Sequence, residues 1–334
     1  MTPTSAASPV RSAPQPLAAS RGILADARWT GSHGIGRFAR EVLERLPACE
    51  RLESGPRPLS LADPLWLTGK VMARRPSVLF SPGFNPPPLC PVPFVFTIHD
   101  LIHIERPEVV TPAKRLYYRT IVKPACGCAF RVLTVSEHSR SRILAWSGLS
   151  PEQVVNVGNG VGHPFRQDGP AHQPGYPYIL YVGNSRPHKN LGRLLEAFRK
   201  LARPDLRLVL AGTPGCEIAS DEELAALYRG ARLLVLPSLA EGFGLPALEA
   251  MSCGTPAVVS RIPALEETVG DAGLFFDPLD SGDMARTIAA VLNDRGLRAR
   301  MIAQGLDRAG RFSWDQVASR VLAVLLEAAA SERP

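Results

Sequence analysis

No stretch of this chain approaches the run of about 18 apolar residues that marks a transmembrane helix, so the sequence offers none. Its six cysteines (Cys49, Cys90, Cys126, Cys128, Cys216 and Cys253) include one Cys-x-Cys and no Cys-x-x-Cys. No zinc spacing fits them, and 334 residues can fold without disulfide staples. There is no Asp-x-Asp pair of the kind that chelates a metal ion, and no metal site and no cofactor are expected. No run of five or six cations occurs, and no zinc-finger or RNP-like signature, which argues against nucleic acid. Lysine is scarce: five, against 33 arginines. What remains is 45% hydrophobic and 21% charged, with mean hydropathy +0.01, enough to bury a core in about two domains of roughly 150 residues. A net charge of +7 and a pI near 9.3 favour anionic partners such as nucleotides or phospholipid surfaces. Residues 1–20 are Ser/Ala/Pro-rich without an apolar segment and read as a flexible leader rather than a secretory signal, so a cytoplasmic protein is expected.

Short β-branched runs alternate with amphipathic stretches. ILADA (23–27), SVLFS (77–81), FVFTI (94–98), RVLTV (131–135) and QVVNV (153–157) predict strands, with helices near 35–46, 112–125 and 137–147. That rhythm builds a parallel sheet covered on both faces. The stretch between 47 and 76 looks short. After a Gly/Pro/His-rich linker over 163–177 a second series begins: YILYV (178–182), LRLVL (206–210), LLVLP (233–237), AVVS (257–260) and GLFF (273–276). Helices are expected at 190–202, 220–230, 245–252 and 281–293, and a last one from Trp314 to Ala330 behind the N-cap Ser313. The fold class is therefore α/β, with two doubly wound Rossmann-like domains, 21–162 and 178–312, facing a cleft. The final segment, 313–334, is expected to cross back to the first domain. Ligands in such sheets bind beyond the carboxyl ends of strands.

The richest strand end is PSLAEGFGLPALEAMSCGTPAVVS (237–260). Glu241 lies in a loop with Gly242, Phe243 and Gly244, whose glycines let backbone N–H groups approach an anion, and a helix opens at Leu245–Pro246 with its positive end toward the loop. Glu249 follows about one turn into that helix. Both glutamates are expected to face one cleft and to accept hydrogen bonds from sugar hydroxyls. GIGRFA (34–39) formally matches a dinucleotide fingerprint. The acid at its expected distance, Glu53, sits in a turn-like stretch, so the match is weak. HDLIH (99–103) places its first histidine at a strand end with an aspartate beside it, which is not the helical metalloprotease arrangement. In TPAKRLYYRTIVKPA (111–125), Arg115, Arg119 and Lys123 recur every fourth residue and share one stripe of a predicted helix. Peripheral contact with an anionic membrane and a purely solvated stripe are both open readings of it.

The element EGFGLPALE resembles the Glu-x7-Glu mark of the retaining family 4 glycosyltransferases, which have the GT-B fold. LYVGNSRPHKNLGRLLEAF (180–198), FTIHDLIH (96–103), TVSEHSR (134–140), NGV (159–161) and GIGRF (34–38) match in the expected order over about residues 21–330, and the pattern looks most like bacterial mannosyltransferase-like members. The resemblance implies that Glu249 holds the donor ribose, while Glu241 with the Phe243–Leu245 backbone holds donor sugar and diphosphate. Lys189 would neutralise the leaving diphosphate, with Arg186 as a forked second contact. Relatives carry an arginine where this chain has Asn184. His99 would sit near the reacting sugar with Asp100 as an orienter or an acceptor contact, and Gly34 and Gly36 would bring backbone toward the diphosphate. The implied reaction moves a hexose of mannose or glucose type from a GDP- or UDP-linked donor to a glycan or lipid-linked acceptor in cell-surface polysaccharide synthesis. The rivals are a non-catalytic nucleotide- or glycan-binding homologue and a nucleotide-sugar epimerase of the same fold. One departure stands out: only TPGCEIAS (213–220) separates Gly212 from Asp221, where the family places a helix and a strand, so the second domain is expected to lack that pair.

Overall fold

The computed structural model describes residues 22–331 apart from Thr30, Ser32, His33, Ala48, Pro107 and Val109; the leader expected over 1–20 lies outside them. The first domain runs β1 (Ile23–Asp26), α1 (Gly34–Arg45), β2 (Glu50–Leu52), α2 (Asp63–Arg74), β3 (Val78–Ser81) and β4 (Phe94–Thr97). It continues through α3 (Ile102–Glu105), α4 (Pro112–Tyr117), a π turn (Tyr118–Val122), α5 (Lys123–Cys128), β5 (Arg131–Thr134), α6 (Glu137–Ser147) and β6 (Val154–Asn156). Its sheet is parallel throughout, in the order β2-β1-β3-β4-β5-β6. Every residue of β1, β3 and β4 is buried, as expected of strands covered on both faces. The stretch 47–76, which looks short in the sequence, still carries two regular elements. It supplies β2 and α2, whose few large apolar residues gave a weak periodic signal.

The second domain comprises β7 (Tyr178–Val182), α7 (Leu191–Lys200), β8 (Arg207–Ala211), α8 (Asp221–Gly230), β9 (Leu234–Leu236), α9 (Leu245–Ser252), β10 (Ala257–Ser260), α10 (Pro263–Val269), β11 (Leu274–Phe276), α11 (Ser281–Asn293) and α12 (Arg295–Ala309). Its parallel sheet has five strands in the order β11-β10-β9-β7-β8. Between β8 and α8 the chain forms only a turn, closed by the Thr213–Cys216 bridge and by the Gly212 N–H donating to the Cys216 carbonyl at 2.8 Å. The missing helix–strand pair therefore leaves β8 as an edge, and its residues are partly exposed while those of β7 are wholly buried.

The last helix, α13 (Trp314–Ala330), packs on α1, β3 and β4 of the first domain. Trp314 meets Phe38 edge-on at 6.1 Å, and Arg45 pairs with Asp315 at 2.7 Å. One apolar core runs from Ala25, Phe38 and Val135 of the first domain to Phe243, Leu248 and Leu265 of the second. In each sheet the strand order reverses beside its first strand, β1 or β7. The loops after those two strands are the ones expected to bind ligand.

Candidate active site

The loop after β9 carries Glu241. Gly244 precedes α9 with φ 100°, and a Cβ there would come within 2.4 Å of the fully buried Leu265 side chain. Only glycine meets both demands without strain. Pro246 then sits in the first helical turn, where a missing N–H costs nothing. The Phe243 carbonyl accepts from Thr268 Oγ1 at 2.5 Å, which fixes the loop against α10.

Lys189 comes from the loop after β7, at the end of a 3-10 turn over 187–189. Its Nζ lies 2.7 Å from Glu241 Oε1, and the Ser238 hydroxyl donates to the same oxygen at 2.6 Å. Two ties lock the β7 and β9 loops together: the Leu239 N–H donates to the His188 carbonyl at 2.7 Å, and Asn190 Nδ2 donates to the Pro237 carbonyl at 3.0 Å. The lysine and Glu241 thus form a preassembled, mostly buried pair. Arg186 differs: it is exposed, and its guanidinium has no hydrogen bond or ion pair among the described residues.

Across the cleft, the end of β4 presents His99 and Asp100. The buried His99 ring sits with Nε2 2.9 Å from the Pro82 carbonyl and meets Phe38 edge-on at 4.9 Å. A Cβ on Gly242 would lie 2.9 Å from the His99 carbonyl, so the loop between β9 and α9 packs directly on this segment. The Gly242 carbonyl in turn accepts from Ser136 Oγ at 2.6 Å and Ser139 Oγ at 3.2 Å. Gly34 faces the same helix start, the position of its absent Cβ lying 3.8 Å from Leu245 Cδ1. Gly36 serves a local need instead: a Cβ there would strike the Gly31 carbonyl.

Glu249 is the residue whose placement adds most to the sequence reading. It is buried, with 2% of its side chain exposed, and is held from the first domain by Arg37 of α1. The Tyr228 hydroxyl donates to its other carboxylate oxygen at 3.0 Å. Arg37 also pairs with Asp221 at 2.5 Å, where Arg40 joins it at 2.8 Å, and its guanidinium stands 4.9 Å over Phe165. Glu241 and Glu249 therefore do not share one open wall: the first reaches the cleft beside Lys189, while the second lies under Arg37. The sequence reading gave no role to Arg37, Asp221, Ser136 or Ser139. The position of Arg37, three residues after Gly34 and so on the same helix face, was the available signal.

Burial, with Glu241 adding to it, pushes the Asp100 carboxyl up to about 6 against the opposing Ile102 N–H and the Lys189 charge. Burial and the charges of Lys114 and Arg186 hold His103 down to about 4, and burial with Lys189 does the same for His188. The site can thus present a carboxyl group that titrates near neutrality beside neutral imidazoles. The basic segment expected as one helix over 112–125 is instead α4, the π turn and α5, ending at Cys128. Arg115, Arg119 and Lys123 nonetheless line one groove. No helix among the described residues is long and apolar enough to cross a membrane.

A family model described as Glycosyl transferases group 1 matches residues 165–308, and one described as Glycosyl transferase 4-like domain matches residues 20–160. The chain is 33% identical over 261 residues to O-antigen chain mannosyltransferase B of Escherichia coli, with 68% of each chain covered. It belongs to the family 4 glycosyltransferases. This glycosyltransferase is also 28% identical over 288 residues to a D-inositol 3-phosphate glycosyltransferase of Acidothermus cellulolyticus, covering 72% of this chain and 63% of that one. Its fold matches that of a sucrose-phosphate synthase from Thermosynechococcus elongatus with a TM-score of 0.72 at 19% identity, covering 92% and 98% of the two chains. The GT-B architecture expected from the sequence is thereby established.

Proposed function

We propose that this glycosyltransferase moves a hexose of mannose or glucose type from a GDP- or UDP-linked donor to a glycan or lipid-linked acceptor of cell-surface polysaccharide, with retention of anomeric configuration. The observation that carries the reading is the Lys189–Glu241 pair at 2.7 Å, set at the start of α9 and facing His99 and Asp100. Glu241 accepts hydrogen bonds from donor-sugar hydroxyls. Lys189 and the α9 N-terminus meet the diphosphate, stabilising charge that grows as the bond from the anomeric carbon to the diphosphate oxygen breaks. The acceptor hydroxyl attacks from the same face, and its proton passes to the departing diphosphate oxygen, so no enzyme nucleophile and no metal enter the scheme. Asp100 orients the acceptor hydroxyl, and Glu249 takes the ribose once Arg37 yields it. The test is mass spectrometry of products from a panel of nucleotide sugars with membrane and glycan extracts. One added hexose per acceptor supports the reading. Nucleotide binding without turnover would instead identify a binding-only homologue.

A further inference from the structure

We propose that the groove between α3–α5 and α6 binds an oxyanion-bearing saccharide, the charged and non-reacting part of the acceptor; the acceptor role rests on the transferase reading above. The cavity has a volume of about 750 Å³ and is walled by Arg115, Arg119 and Lys123 on one side and by Arg142 and Trp146 on the other. Its one carboxylate, Glu105, is already paired with Arg142 at 2.8 Å. Arg115 and Arg119 are exposed, and neither guanidinium has an ion pair or hydrogen bond among the described residues. Like charges one helical turn apart destabilise the helix that carries them. The π turn that interrupts this segment belongs to a class that recurs frequently at functional sites. A second cavity of about 320 Å³ shares Arg115 and Arg119 and continues the groove toward Thr111 and Leu116.

Three further features give the ligand its chemistry. Guanidinium forks match carboxylate and phosphate oxygens bidentately. Lys123 stands 5.8 Å over the Trp146 ring, which fixes its ammonium in the groove wall beside the two arginines. Tyr118 lines the same wall, and its buried hydroxyl has no partner among the described residues. The groove also leads away from the reacting centre. Helix α6 is capped by Ser136, which bonds the donor loop at Gly242, and Arg142 and Trp146 stand six and ten residues along it. At 1.5 Å per residue that is about 9 Å and about 15 Å along the helix from Ser136, within reach of the next sugars of a chain whose end is being extended. On the other wall Asp100 in the cleft leads in five residues to Glu105 in the groove.

The experiment titrates the full chain by calorimetry with tetragalacturonate and with mannose 6-phosphate, using neutral mannotetraose as control, at two salt concentrations. UDP and GDP are titrated in parallel. At least one anionic sugar should bind, more weakly at high salt and at least about tenfold more weakly in Arg115→Ala/Arg119→Ala. Arg115→Lys/Arg119→Lys should recover part of the affinity, and Lys189→Ala should leave it unchanged. These groove residues are exposed, and matching circular dichroism and melting of both double variants controls for folding. Anionic-sugar binding that persists while no nucleotide binds would defeat the transferase reading and leave the groove standing. The groove assignment is overturned if neither sugar binds or if both double variants bind like wild type. It is equally overturned if the same variants abolish sedimentation with phosphatidylglycerol vesicles while no sugar binds, because the groove would then be a membrane contact.

Discussion

Replacing Arg37 with alanine should tighten, not weaken, the binding of a nucleoside diphosphate. In the structure Arg37 covers Glu249, whose side chain is 2% exposed, so a ribose diol reaches that carboxylate only after the guanidinium has moved. Breaking a buried ion pair by removing one partner costs about 3–5 kcal/mol. Part of that cost is offset in the wild type because Arg37 keeps Asp221 at 2.5 Å and Tyr228 keeps its 3.0 Å bond to Glu249. A residual penalty of about 1.4 kcal/mol corresponds to about tenfold in Kd. Calorimetry with UDP and GDP on wild type, Arg37→Ala, Glu249→Ala and the double variant measures it. Arg37→Ala should bind about tenfold tighter, Glu249→Ala at least about tenfold weaker, and the double variant like Glu249→Ala alone. Weaker binding by Arg37→Ala would refute the reasoning. So would a double variant displaced from Glu249→Ala by the full tenfold, because Arg37 would then act independently of that carboxylate.

The Asp100 carboxyl, raised to about 6, is protonated below that pH and ionised above it. kcat/KM should therefore rise with pH through about 6, and Asp100→Asn should flatten that limb; an unchanged limb would assign it elsewhere. Because this pKa is higher folded than unfolded, the same group's contribution to stability is present at low pH and is lost as pH rises through 6. Gly244→Ala should lower stability by about 1–3 kcal/mol through its left-handed φ and its contact with Leu265, read as a fall in Tm, and an unaltered Tm would contradict the strain. Transfer should continue in EDTA at nearly the same rate, since Lys189 and the α9 terminus can neutralise the diphosphate; loss restored by Mn²⁺ would place that charge on a metal.

Strands such as FVFT and YILYV were legible because parallel strands buried on both faces are written as unbroken apolar runs. The shortened 213–220 segment was equally plain, since a missing strand is a matter of residue count. Helix α2 was harder to see: within Asp63–Arg74 only Asp63, Leu67, Thr68 and Val71 are buried, too few to mark a stripe. Helix α12 also went unread, being rich in arginine with only Met301, Gly305 and Ala309 buried. At the site, Glu241 and Lys189 could be placed from their strand ends, because topology delivers those loops to one crevice. The hold of Arg37 on Glu249 could not be read, since it joins residues 212 positions apart in two domains and depends on how those domains close. The groove was half legible. The four-residue recurrence put three cations on one side, but Arg142 and Trp146 face them only through the packing of α6.

The central claim is that Lys189, paired with Glu241 at 2.7 Å, carries the charge of the leaving diphosphate during transfer. It is tested most directly by the initial rate of hexose transfer at subsaturating donor in wild type and Lys189→Ala, with folding matched by circular dichroism. Loss of one charged contact worth roughly 1.5–3 kcal/mol predicts a fall of at least about tenfold. A near-normal rate in Lys189→Ala would contradict the account.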